Sequence, residues 1–286
     1  MKGIFDTPPC DPGGVRRQFC YDGELRLCPQ ASSRRAARET HLTMWIIAHR
    51  GASGHAPENT MAAFRRAVEM GAGFIETDLR LTRDARVVAI HDDTLDRTSS
   101  GRGDVHEYTL QELRALDAGS WFRSPDGESF AGERIPTLDE ILAFAHERDV
   151  VFYLEIKSES AWGIEHPVVA ALGEFHQSVR VIILSFELGT LEAVHRLDPT
   201  IMTAYLYDRR VKNPVETAVQ TGARQIAPRT NLVTPALVQE AHDAGLQVVT
   251  WTANEPDLMR SLITAGVDGI MTDYPDLLRK ILCESK

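Results

Sequence analysis

Short apolar runs recur along the chain from Trp45 onward, most of them separated by stretches whose apolar positions fall at helical spacing. The runs at 45–48, 74–79, 150–156, 181–185, 202–206, 225–227, 247–251 and 269–272 predict β-strands. Between them, segments such as 61–70, 138–147, 187–197, 235–244 and 257–265 predict helices; Asn59-Thr60 is a start signal for the first, and Gly245 a stop signal after 235–244. Eight strands, most followed by a helix, over about 240 residues predict an α/β fold of the (β/α)8 TIM-barrel type. An open doubly wound sheet is the competing arrangement. It is disfavoured because no Gly-x-Gly-x-x-Gly follows the first strand and no Walker-type Gly-Lys-Ser/Thr loop occurs.

One stretch breaks the alternation. Residues 79–82 run into Arg83-Asp84-Ala85 and return as 86–92, a connection too short for a parallel crossover, so a hairpin is predicted at the end of the second strand. That hairpin brings His91 back to the level of Glu76 and Asp78. The following segment is longer than an ordinary βα loop, which predicts a small insertion at the barrel mouth over about 93–136. Residues 1–43 carry turns and charge (Pro8-Pro9, Asp11-Pro12-Gly13-Gly14, Ser32-Ser33-Arg34-Arg35) without periodicity, and are expected to form a poorly ordered arm ahead of a barrel at 44–286. Met44 precedes the first strand and is a candidate translation start, which intact-mass analysis of the native protein tests.

Composition narrows the partners. The 286 residues are 43% hydrophobic, ample for a large core, and the net charge of -10 argues against nucleic acid or an anionic membrane as the main partner. No run of about 18 apolar residues predicts a membrane span, and the N-terminus lacks a secretory signal, so a cytoplasmic location is the default expectation. Cys10, Cys20, Cys28 and Cys283 form no Cys-x-x-Cys spacing and are expected to be reduced thiols. Oligomeric state leaves no mark in the sequence.

The chemistry gathers at strand ends, where barrels of this type build their sites. Glu76 and Asp78 lie two residues apart on a strand and so share a face; like charges so close raise each other's pKa unless a cation sits between them. Glu155 and Lys157 share a face in the same way. With His49-Arg50-Gly51 and Trp251-Thr252-Ala253-Asn254, four strand ends offer polar groups to one mouth. Plainer readings stand beside these. Glu76 and Asp78 could form an ion-pair network with Arg80 or Arg50, and Glu155 could simply pair with Lys157. Glu58 in Glu58-Asn59-Thr60 fits a helix cap as well as an orienting role. Trp251, and Phe186 more weakly, fit either the barrel core or a pocket wall, while Asn254 and Asp273 read as loop-structuring residues. His106, His146, His176, His195 and His242 read as ordinary surface or core histidines.

Taken together, Ala48-His49-Arg50-Gly51, Pro57-Glu58-Asn59-Thr60, Glu76-Thr77-Asp78, Ile90-His91-Asp92 and Leu154-Glu155-Ile156-Lys157 resemble the motifs of the glycerophosphodiester phosphodiesterase family. Ser185-Phe186, Thr250-Trp251-Thr252-Ala253-Asn254 and the stretch from Gly266 to Asp273 extend the resemblance in order across about 45–280. It implies a barrel with an insertion and metal-dependent cleavage of glycerophosphodiesters to glycerol 3-phosphate and an alcohol. Glu76, Asp78 and Glu155 would bind the metal, His49 would act as base and His91 as acid, and Arg50 and Lys157 would hold the phosphate.

The residue types make sense of those roles. An all-oxygen set suits a hard divalent cation, Mg2+ or Ca2+. Three carboxylates, one such ion, Arg50 and Lys157 leave a single positive charge, which matches a singly charged phosphodiester and favours one ion. Two imidazoles, with ordinary pKa values of about 6.5, suit proton acceptance and donation near neutrality. Attack by water and attack by the neighbouring glycerol hydroxyl are both open. Alternative functions are a lysophospholipase D, with Trp121-Phe122 serving a lipid chain, a Mg-dependent barrel lyase or isomerase, and a non-catalytic anion-binding barrel.

Overall fold

A computed structural model describes residues 44–124, 126–157, 163–175 and 180–284. The expected arm at 1–43, with Cys10, Cys20 and Cys28, lies outside the described residues, as does His176. Nine strands are described: β1 (Trp45–Ala48), β2 (Phe74–Leu81), β3 (Val87–Ala89), β4 (Val151–Ile156), β5 (Val181–Ser185), β6 (Met202–Tyr207), β7 (Gln225–Pro228), β8 (Gln247–Thr250) and β9 (Gly269–Thr272). All but β3 pair in parallel in the order β1-β9-β8-β7-β6-β5-β4-β2, and β1 pairs with β2 to close the ring. The fold is therefore a closed (β/α)8 barrel, and the open doubly wound sheet is excluded.

The described helices are α1 (Met61–Glu69), α2 (Leu110–Leu113), α3 (Leu138–Arg148), α4 (Glu165–Phe175), α5 (Leu188–Leu197), α6 (Pro214–Gln220), α7 (Pro235–Asp243), α8 (Pro256–Ala265) and α9 (Pro275–Glu284). Their starts are written locally. Thr60, Thr109, Thr137 and Thr234 each accept a first-turn N–H through the side chain, and α6, α7 and α8 have proline in the first helical positions.

Strand periodicity decides what fills the barrel. Ile47, Phe74, Val151, Tyr153, Ile182, Leu184, Ala204, Leu206, Ala227, Val249 and Met271 form one buried cluster inside the ring. The intervening positions pack against helices in two larger clusters. Two residues beyond Ile47, Phe74, Tyr153, Leu184, Val249 and Met271, the same inward phase delivers His49, Glu76, Glu155, Phe186, Trp251 and Asp273 to the mouth.

The predicted hairpin is present: β2 pairs antiparallel with β3, with Leu79 opposite Ala89, and the Ile90 N–H donates to the Asp78 carbonyl at 3.0 Å. After it, the insertion packs Leu95, Val105, Leu113, Ala118 and Ile135 with Val88 and Ile90 into a small core of its own. No described helix is long and apolar enough to cross a membrane.

Candidate active site

Asp78 and Glu155 are register partners on neighbouring strands, and Glu76 lies one inward step before Asp78. That register brings one oxygen from each of the three carboxylates within 4.8 Å of the others. All three side chains are buried, and Glu76 Oε1 meets no hydrogen-bond partner among the described residues. Burial, together with the charge of Asp78, pushes the Glu76 carboxyl up to about 8. Burial also raises Glu155 against the pull of Lys157, whereas at Asp78 the charges of Lys157 and Arg50 overcome burial and hold the acid well below the usual carboxylate range. An orphaned, buried oxygen beside two more carboxylates is a donor set that fits a hard divalent cation. Asp104, His106 and Glu107 also come together, but on the open surface of the insertion.

The cationic side chains border this trio. Lys157 Nζ lies 2.6 Å from Glu155 Oε1 and 2.7 Å from Asp78 Oδ1. Arg50 donates through its backbone N–H to Glu76 Oε2 at 2.9 Å and through Nη1 to Glu58 Oε1 at 2.8 Å, with Nε 3.3 Å from Asp78 Oδ2. The ion-pair readings of these residues are therefore real contacts, made by the same groups that border the acidic trio. Arg80 turns elsewhere, donating to the His91 carbonyl at 3.0 and 2.7 Å.

Arg50 reaches the trio from a backbone in the left-handed region, φ 55°, followed by Gly51 at φ 81°. A Cβ on Gly51 would lie 2.6 Å from the Ala63 side chain, so only glycine lets this turn press onto α1.

Each mouth histidine is fixed by an aspartate. His49 Nδ1 lies 2.7 Å from Asp273 Oδ1, and His91 Nδ1 lies 2.7 Å from Asp92 Oδ1. An ionised carboxylate only accepts, so each ring carries its proton on Nδ1 and leaves Nε2 for exchange with a ligand. Asp273 is itself held by Asn254 Nδ2 at 2.6 Å, and Ser53 Oγ lies 2.9 Å from its other oxygen. Burial opposes charge on His49, but the Asp273 hydrogen bond and the Glu76 charge raise its pKa overall. His91 goes the other way: burial, with Lys157 and Arg50 adding to it, lowers its pKa despite Asp78.

Trp251 and Phe186 stand edge to face, with ring centroids 5.6 Å apart and packed against the top of the inner cluster. The Trp251 indole N–H donates to the Ala227 carbonyl at 2.8 Å.

Some participants escaped the sequence reading. Asp273 and Asn254, read as loop-structuring, do structure a loop, and through it they hold His49. Asn59, read as part of a cap, donates to Asp78 Oδ2 at 2.8 Å and accepts from Thr77 Oγ1 at 2.7 Å. Glu58, for which an orienting role was offered beside a helix cap, does hold Arg50; Asp92 and Arg97 join the same charged network, so the count that balanced only Arg50, Lys157 and three carboxylates left out charges in contact with it. Trp121 and Phe122, offered as a lipid contact, are half-buried: Phe122 packs on Phe130 at 5.8 Å in a cluster with Ala56 and Ala63, and the Trp121 indole donates to the Ala118 carbonyl.

Comparison with known proteins finds a match to the glycerophosphoryl diester phosphodiesterase family over residues 49–277. A glycerophosphodiester phosphodiesterase of Caldanaerobacter subterraneus is 42% identical over 235 residues, covering 82% of this chain and 95% of that protein. A crystal structure of an Agrobacterium tumefaciens glycerophosphodiester phosphodiesterase is 30% identical, covers 83% of this chain and 100% of its own, and superposes with a TM-score of 0.73. An Oleispira antarctica phosphodiesterase, solved in complex with the product sn-glycerol-3-phosphate, is 30% identical with a TM-score of 0.75, covering 83% of this chain and 96% of its own.

Proposed function

The chain belongs to the glycerophosphoryl diester phosphodiesterase family and is a glycerophosphodiester phosphodiesterase, and from that premise we propose that it cleaves its substrates to sn-glycerol 3-phosphate and an alcohol by histidine acid–base chemistry beside one divalent cation, Mg2+ or Ca2+. The observation that carries this reading is the buried trio Glu76, Asp78 and Glu155, its oxygens within 4.8 Å, between two imidazoles that each turn Nε2 free by anchoring Nδ1 on an aspartate. The trio would hold the cation, which supplies charge to polarise a phosphoryl oxygen and orient the nucleophile.

The chain's own groups do the rest. Arg50 and Lys157 bind the phosphodiester oxygens and gather the charge that grows on them in the transition state. Glu58 keeps the Arg50 guanidinium aimed. Trp251 and Phe186 wall the glycerol side, excluding water from one face. His49 takes the proton of the attacking hydroxyl or water, and His91 returns one to the leaving alcohol oxygen. The Asp273 hydrogen bond and Glu76, a member of the trio that would hold the cation, both raise the His49 pKa.

A coupled assay for glycerol 3-phosphate over a panel of head groups, with and without chelator, tests the reaction; substrate that binds yet persists would leave a non-catalytic anion-binding barrel. The proton roles separate with a p-nitrophenyl phosphodiester, whose leaving group needs no protonation. His91→Ala should regain most of its lost rate on that ester, and His49→Ala should not. The opposite pattern would exchange the two roles. The lysophospholipase D alternative rests on Trp121 and Phe122, which are half-buried beside Phe130, and a lysophospholipid in the same assay tests it.

A further inference from the structure

Arg97 lies in the insertion, outside every motif that marked the site, with its side chain 44% exposed. An ion pair that open normally contributes little to stability. Its geometry is unusual all the same. One edge of the guanidinium grips Asp92, with Nε donating to Oδ2 at 2.7 Å and Nη2 to Oδ1 at 3.0 Å. The other grips Glu58, with Nη1 donating to Oε2 at 2.7 Å and Nη2 to Oε1 at 2.8 Å. Both forks of one planar group are therefore used, each in the two-pronged arrangement that fixes direction as well as distance.

The two carboxylates so joined have separate clients. Asp92 holds Nδ1 of His91, and Glu58 holds Nη1 of Arg50. The chain His91–Asp92–Arg97–Glu58–Arg50 thus runs unbroken from a proton-transfer ring to a phosphate-binding arm. We propose that Arg97 is a positioning residue: by clamping Asp92 to Glu58 it sets the orientation of His91 and the aim of Arg50 together, making the insertion part of the working site. The proposal rests on the roles given above to His91 and Arg50. A lysine would keep the charge but lacks the second planar edge, so it can serve only one carboxylate well.

Arg97→Met and Arg97→Lys, assayed with glycerophosphocholine in the metal-loaded enzyme, separate this from an ordinary surface pair. Arg97→Met should lower kcat roughly 100-fold through His91 and raise KM roughly tenfold through Arg50, with Arg97→Lys between it and the wild type. Combined with Asp92→Asn, Arg97→Met should cost little further kcat; combined with Glu58→Gln, little further KM. Additive losses in both combinations, or values within about twofold of wild type in Arg97→Met, overturn the proposal. Should Arg97→Met not fold, the same combinations are made with Arg97→Lys. The His91 Nδ1–H resonance, assigned by its loss in His91→Gln, gives a readout free of activity: it should broaden or vanish in Arg97→Met, and its persistence unchanged refutes the clamp. A wild-type protein that cleaves no glycerophosphodiester would sink the functional reading, and the resonance would then decide the clamp by itself.

Discussion

Strands β9, β1, β2 and β4 are neighbours around the ring, and their ends present Asp273, His49, Glu76 with Asp78, and Glu155 with Lys157. Strands β5 to β8 complete the ring, and two of their ends turn aromatic rings, Phe186 and Trp251, toward the same mouth. The charged arc depends on register. Asp78 and Glu155 face each other as paired residues of adjacent parallel strands, and a slip of one residue would send one of them outward, away from the other. The aromatic arc asks only for bulk at the right height. Chemistry that needs several charges at one point thus falls on adjoining strands, while shape can be supplied from the far side.

The sharpest way to break this contrast is within the charged arc. Asp78→Asn or Glu155→Gln should cost at least about 1000-fold in kcat/KM and abolish high-affinity cation uptake, read by equilibrium dialysis. His91→Ala should lose roughly 100- to 10,000-fold in kcat while taking up the cation normally. Equal cation loss in both kinds of variant would dissolve the division between ion-holding and proton-moving groups. Arg50→Lys keeps the charge but loses the fork toward Glu58 and Asp78, and should raise KM about tenfold with a smaller change in kcat. On the aromatic arc, Trp251→Ala should raise KM only about three- to tenfold and leave cation affinity unchanged, as measured by calorimetry. A kcat collapse there would make the two arcs equivalent.

A separate effect falls on stability. Glu76 has its pKa raised from 4.5 to about 8, so in the absence of a cation the folded protein binds this proton more tightly than the unfolded chain does. Stability therefore falls as pH rises from about 5 to 8, because the unfolded state releases the proton first. Urea titrations in chelator should show that fall in the wild type and a shallower one in Glu76→Gln. Saturating cation at about 100 times its Kd should add roughly 2.7 kcal/mol to the wild type and little to the variant.

The barrel strands, the hairpin and the acidic trio were legible because each is written in local periodicity: 45–48, 181–185 and 269–272 match β1, β5 and β9 residue for residue. Helix α4, rich in apolar residues and with a proline in its first turn, and the short α6 lacked a clear enough pattern to be picked out. What stayed hidden in the site was the support around it. Asn59 reads as a turn residue until β2 is placed beside it, and Arg97 gains meaning only when Glu58 and Asp92 converge from two loops. Such contacts join side chains with no shared period, so no spacing along the chain announces them.

The tie between His49 and Asp273 spans 224 positions, joining the first barrel strand to the last. All three acids of the trio have been synthesised once β4 is complete, but the Asp273 anchor for the His49 ring follows only after β9. Premature termination anywhere before that strand should therefore yield fragments without a tuned imidazole, and competence should arrive late in synthesis, when the ring shuts.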